Sequence, residues 1–167
     1  KPDYAEAYNN MGTALKEQGK LVEAIEATNK AISINPEYAE AYYNMGILLL
    51  ELAKPDEAIE AYKKAILIKH DFAEAHLNLG NIFKDRKKLD EAIAAYNRAI
   101  SVNPNYMEAY FNMGVALSGI NFKKPNRELQ HTITSVLDKK SYVRPTNIAR
   151  AAISLLKFEP SLQKHLK

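Results

Sequence analysis

The sequence contains no cysteine, which excludes a disulfide framework and any thiolate metal site and is compatible with a reducing compartment. No stretch approaches the roughly 18 consecutive apolar residues that a membrane-spanning helix requires, so a membrane helix is not expected. A glycine loop able to cradle phosphate and a strand–turn–helix nucleophile elbow are also missing. The four histidines, His70, His76, His131 and His165, are scattered along the chain, so neither a metal nor a cofactor is expected. There is no signal-peptide pattern. The chain begins at Lys1 rather than methionine, and the expectation is a piece of a longer protein in the cytoplasm.

What is present is ordinary globular chemistry, with 47% hydrophobic and 26% charged residues. The net charge of +3 conceals an asymmetry. Residues 1–117 carry 13 Lys/Arg against 17 Asp/Glu, whereas residues 118–167 carry 10 against 3. An acidic body joined to a basic tail implies two parts with different surroundings.

The body repeats itself. Residues 5–38, 39–72 and 73–106 align without gaps at a period of 34, and a fourth copy opens at Met107 and continues for one helix, over 107–118. Each copy opens near an aromatic (Tyr8, Tyr42, Tyr110; His76 is the exception). Met11, Met45, Leu79 and Met113 follow, each before a glycine, and then Leu15, Leu49, Phe83 and Leu117. The spacing i, i+3, i+7 marks one face of a helix. Gly12, Gly46, Gly80 and Gly114 fall mid-helix, where glycine costs about 1 kcal/mol against alanine. That cost implies a neighbouring helix in close approach. Ala24, Ala58 and Ala92, with Ala31, Ala65 and Ala99, provide small residues on a second helix. Pro36 and Pro104 end that helix, and His70 stands in the same place. Short turns are expected at Lys20–Leu21, Pro55–Asp56 and Leu89–Asp90, with Asp56 and Asp90 as N-caps followed by Glu57 and Glu91. The pairs Asp56–Glu57 and Asp90–Glu91 are therefore read as helix starts rather than as acid–base pairs.

These residues resemble the tetratricopeptide repeat over about 1–118. The resemblance implies an all-α, right-handed superhelical solenoid of helix–turn–helix hairpins with a concave groove. It also implies a protein-interaction module rather than an enzyme. Pro2-Asp3-Tyr4 matches Pro36-Glu37-Tyr38 and Pro104-Asn105-Tyr106, which points to a further repeat upstream and an uncovered face on the first helix. Self-association through that face is one expectation.

Beyond Leu117 the period fails. Residues 119–167 read as a basic helical cap. Ile120 and Phe122 are anchors, and Leu129, Ile133, Val136 and Leu137 mark a helix over 126–138. A break follows at 141–145, then a helix from Thr146 to before Pro160, then a short last helix with Leu162 and Leu166. Capping the last repeat is the expected role. The tail lacks aromatic–basic interleaving, so nucleic acid is not an expected partner.

One feature is left over from packing. Two residues after each opening aromatic position stands an asparagine: Asn10, Asn44, Asn78 and Asn112. An amide side chain both donates and accepts, so such a ladder can pair with the backbone of an extended peptide, or it can cap local backbone or bridge adjacent repeats. The ladder resembles that of O-linked N-acetylglucosamine transferases, including the phrase Asn78-Leu79-Gly80-Asn81, and the resemblance implies contact with a polypeptide. Tyr43 and Asn81 are counted on the same surface. Four residues before each asparagine comes a glutamate, Glu6, Glu40, Glu74 and Glu108, and further along the face lie Glu17, Glu51 and Asp85. An acidic groove should prefer neutral or basic peptides over acidic ones. The carboxylate clamp of chaperone-binding members needs lysine and arginine, whereas Asn9, Asn44, Glu74 and Asn78 occupy this surface. A second reading is a substrate-recruiting arm of a larger bacterial transferase, methyl- or glycosyl-. It rests on a loose likeness of residues 121–160 to segments that follow such repeats.

Overall fold

The helical periodicity is realised as seven α-helices in a computed structural model that describes residues 2–118 and Ile133. They are α1 (Pro2–Glu17), α2 (Leu21–Ile34), α3 (Ala39–Glu51), α4 (Pro55–Ile68), α5 (Ala73–Asp85), α6 (Leu89–Val102) and α7 (Met107–Ser118). Among the described residues there is no strand. The chain forms two compact units, residues 1–82 and the residues from Phe83 onward. In the first unit α1 packs on α2, α2 on α3, and α3 on α4; in the second, α6 packs on α7. Of the tail, Ile133 is described, and it is helical and buried. The other expectations for 119–167 lie outside the described residues.

The first helices of the three full repeats close in the same way. Gly19, Ala53 and Lys87, 34 residues apart, all have positive φ, at 74°, 56° and 60°. The N–H of the following residue reaches back five positions: Lys20 to the Leu15 carbonyl at 2.9 Å, Lys54 to Leu49 at 2.8 Å and Lys88 to Phe83 at 2.9 Å. This is the Schellman closure. Only the first repeat uses glycine for it. The closure corrects the expected turns: Leu21, Pro55 and Leu89 already belong to the second helices, and the N-cap positions are Lys20, Lys54 and Lys88, without a side-chain cap bond. Asp56 and Asp90 lie inside the first turn instead, where the helix dipole still favours their charge.

The second helices end on a local device. Asn35 and Asn103 follow α2 and α6, and their Oδ1 atoms accept from the backbone N–H of Glu37 and Asn105, both at 3.1 Å. Each is an Asx turn around the proline. At the corresponding place after α4 stands Lys69, followed by His70, and a lysine cannot close such a turn.

The mid-helix glycines allow the close approach inferred from the repeat. A Cβ on Gly46 would stand 2.5 Å from Cε1 of Tyr62 and 2.8 Å from two further ring carbons. On Gly12 it would stand 2.5 Å from Thr28 Oγ1 and 3.1 Å from the Ala24 carbonyl oxygen. Ala24, Ala31, Ala58, Ala65, Ala92 and Ala99 are fully buried, as their small size requires. Met45 and Met113 are buried, but Met11 at the equivalent place is 52% exposed, and Tyr4 on the same helix is also exposed.

The Tyr62 ring is 0% exposed and cannot swing away from an added methyl. Gly46→Ala gains about 1 kcal/mol of helix propensity but overpacks the crossing by about 1–3 kcal/mol. We expect a net loss, read as a melting temperature several degrees below wild type. An unchanged or raised melting temperature would show that the crossing is loose.

Candidate functional site

In the first unit the chain encloses an open basin of about 470 Å³, lined by Asn9, Asn10, Thr13, Tyr38, Glu40, Tyr43, Asn44, Lys69, Phe72 and Glu74. Five of the eight sequence-predicted residues meet here: Asn10, Asn44, Glu40, Glu74 and Tyr43. Asn78 and Asn81 lie further along α5, and Asn112 lies on α7 in the second unit.

The period places each of these side chains, and the departures from it decide what they do. Asn44 on α3 donates from Nδ2 to Asn9 Oδ1 at 2.9 Å and, at the limit of a hydrogen bond, to Thr13 Oγ1 at 3.5 Å. Asn9 is 5% exposed and also hydrogen-bonds the Tyr38 hydroxyl. Thr13 donates to the Asn9 carbonyl at 3.2 Å. The amide of Asn44 thus ties α3 to α1, and its Oδ1 takes no part in these bonds. Asn10 is exposed beside it.

The next rung is built differently. Asn78 Nδ2 donates to the hydroxyls of Tyr43 and Tyr62, both at 3.3 Å. Tyr43 stands where Asn9 stands one repeat earlier, and Tyr62 where Thr28 stands. The link between neighbouring repeats is therefore amide to amide at the first junction and amide to phenol at the second. Asn81 and Asn112 have interactions of their own. Of the roles open to the ladder, Asn44 and Asn78 use their N–H groups to bridge adjacent repeats.

Aromatic rings form one wall of the basin. Tyr43 lies 4.8 Å from Phe72 and 5.7 Å from Tyr62, ring centre to ring centre. Tyr62 is fully buried. Burial pushes its hydroxyl well above the usual tyrosine range, the neighbouring Tyr43 adds to this, and the bond from Asn78 opposes it. Burial, followed by Asp85 and Glu108, does the same for Tyr96 in the second unit. Burial, with Glu6 and Glu40, also raises Tyr38, against the bond from Asn9.

The acidic row is only partly free. Lys69 Nζ hydrogen-bonds Glu40 Oε1 at 3.0 Å and sits 4.7 Å over the Phe72 ring. Glu74 on the same rim is exposed. Reading the sequence by rows missed Lys69, because its partner is 29 residues away. It also missed Thr13, Tyr38 and Phe72, and it placed Asn9 on this surface without its bond to Asn44. The available signal was a break in the repeat: Asn9 at an otherwise larger position, and Lys69 where Asn35 and Asn103 stand. Among the described residues no group of three His, Cys, Asp or Glu is placed to hold a metal ion. Among those residues no helix is long and apolar enough to cross a membrane.

Comparison with known proteins agrees with the helical-repeat fold. Family models described as TPR repeat and tetratricopeptide repeat match residues 12–52 and 80–119, and residues 39–72, together more than half of the chain. No curated protein matches it significantly. Among solved structures, the MamA protein is 28% identical over 84% of this chain and 75% of its own, with a TM-score of 0.68. The first TPR domain of Spaghetti, bound to an HSP90 peptide, is 24% identical over 68% of this chain and 90% of its own, with a TM-score of 0.64. An O-GlcNAc transferase of Thermobaculum terrenum is 21% identical over 83% of this chain but 26% of its own, with a TM-score of 0.66. The last two likenesses concern the fold alone.

Tyr62 and Tyr96 make the fold sensitive to alkali. Their folded pKa values are raised above the ordinary value of about 10. The stability they contribute is full below that pH and is lost as pH rises from it toward the folded values. In an absorbance titration at 295 nm, these two phenols should ionise only together with loss of helical circular dichroism. A smooth ionisation of all ten tyrosines near pH 10, with helix retained, would contradict this.

Proposed function

The chain belongs to the tetratricopeptide-repeat family, and from that premise we propose that it is a protein-interaction module whose basin, lined by the first two repeats and the start of the third, holds an extended polypeptide. The observation that carries this reading is the division of labour in Asn44. Its N–H groups are spent on Asn9 and Thr13, which fixes the side chain, while Oδ1 stays available to a peptide N–H. A side chain already ordered by the protein loses little further entropy when a ligand binds it. Asn10 adds a second, exposed amide, and Tyr43 and Phe72 supply an apolar wall. Asn78, Asn81 and Asn112 extend the same row of the sequence and are proposed as further contacts.

Charge supports a neutral or basic partner. Among the described lining residues Glu40 and Glu74 stand against one cation, Lys69, so an acidic peptide meets net repulsion there. The Spaghetti domain is solved with the HSP90 peptide SRMEEVD, which ends in acidic residues. This basin offers amides and carboxylates where such a peptide needs several cations.

Fluorescence titration with extended neutral and basic peptides tests the reading. Asn10→Ala and Asn44→Ala should each weaken binding by about two- to tenfold, the equivalent of one net hydrogen bond. Asn44→Ala should also lose about 1 kcal/mol of stability, through Asn9, whereas Asn10→Ala should lose none. If neither substitution changes peptide affinity, the asparagines serve the fold only.

A further inference from the structure

Lys69 is anomalous in three independent respects. First, it occupies the position where the repeat places an asparagine that closes an Asx turn, as Asn35 and Asn103 do, so at this junction the chain has given up a local turn bond. Second, it is not a packing residue: its side chain is 43% exposed and its partner Glu40 is 45% exposed. A pair this exposed is weak and readily exchanged. Third, its ammonium group lies on two features of the basin at once, the Glu40 carboxylate at 3.0 Å and the face of Phe72 at 4.7 Å. Asp71 and Glu74 also act on it, and after the hydrogen bond to Glu40 they contribute to holding its proton. The chain has thus placed one of its own cations on a carboxylate and an aromatic face inside an open basin.

We propose that this corner of the basin is a subsite for a cationic side chain of the bound polypeptide, of arginine type, and that Lys69 occupies it in the free protein as an exchangeable internal substitute. The proposal rests on the peptide-binding reading and names the partner chemistry within it. A guanidinium fits the corner better than an ammonium group does. It is planar, it stacks on an aromatic face, and it can bond a carboxylate through two parallel N–H groups. When it enters, Lys69 is released to solvent and Glu74 supplies the second negative charge. Lys69 therefore sets a threshold: the ligand's cation must outcompete it, which favours arginine over lysine.

The probe is N-acetyl-arginine-N-methylamide, titrated into the full chain while the side-chain amide signals of Asn9 and Asn44 are followed by 1H–15N NMR. Saturable shifts are expected. Lys69→Asn restores the repeat's own residue, so it should fold at least as well as wild type, and it should lower the half-saturating concentration by about two- to fivefold. Should that variant fail to fold, Lys69→Gln serves in its place. Glu74→Gln should raise the half-saturating concentration. The proposal is overturned if no saturable shift appears, or if Lys69→Asn weakens binding. It is equally overturned if N-acetyl-glutamate-N-methylamide gives the stronger shifts, which would make Lys69 an anion-binding residue. Peptide binding that depends on Asn44 but is indifferent to a ligand arginine would reject the subsite and leave the peptide reading intact.

Discussion

The close crossing of the two helices in the first two hairpins sets the chemistry of the junctions beside them. At Gly46 the helix backbone comes so near α4 that the flat ring of Tyr62 lies directly against it. The ring is thereby buried with its hydroxyl directed to Asn78 of the next repeat. At Gly12 the same place is taken by Thr28, whose hydroxyl turns back to the Ala24 carbonyl at 2.8 Å. No phenol reaches Asn44 from that position, and Asn44 bonds to Asn9 and Thr13 instead. A difference at one buried position thus accompanies an aromatic junction in one place and a polar junction in the other. The open basin lies beside the polar one.

Much of the fold was legible because its causes are periodic. The glycines and the alanines recur every 34 residues, and the structure shows their use at Gly12 and Gly46 and in the six buried alanines. The helix starts were less legible. Schellman closure is easily seen when glycine provides the left-handed residue, as at Gly19, but Ala53 and Lys87 adopt the same conformation without advertising it. The expected turns were therefore placed one or two residues late.

The candidate site was legible only in its periodic part. Asn10, Asn44, Glu40 and Glu74 stand out as rows, and the basin brings those four together with Tyr43. Lys69 and Phe72 do not stand out, and Asn9 is visible as a surface residue but not as the partner of Asn44, because each is a departure within its own column of the repeat. Asn9 meets Asn44 across 35 residues of sequence and Lys69 meets Glu40 across 29, beyond any local pattern. A repeat protein keeps its fold in the residues that recur. What distinguishes one junction from the next resides in the residues that do not, and the polar corner formed by Asn9, Thr13 and Lys69 is of that kind.

The most direct test is a crystal structure of the chain with a bound extended peptide. The account predicts a peptide backbone N–H on Asn44 Oδ1, with Asn44 Nδ2 still on Asn9 and the peptide running along the wall of Tyr43 and Phe72. A peptide bound elsewhere on the first unit, or an Asn44 amide turned away from Asn9 to reach its ligand, would contradict it.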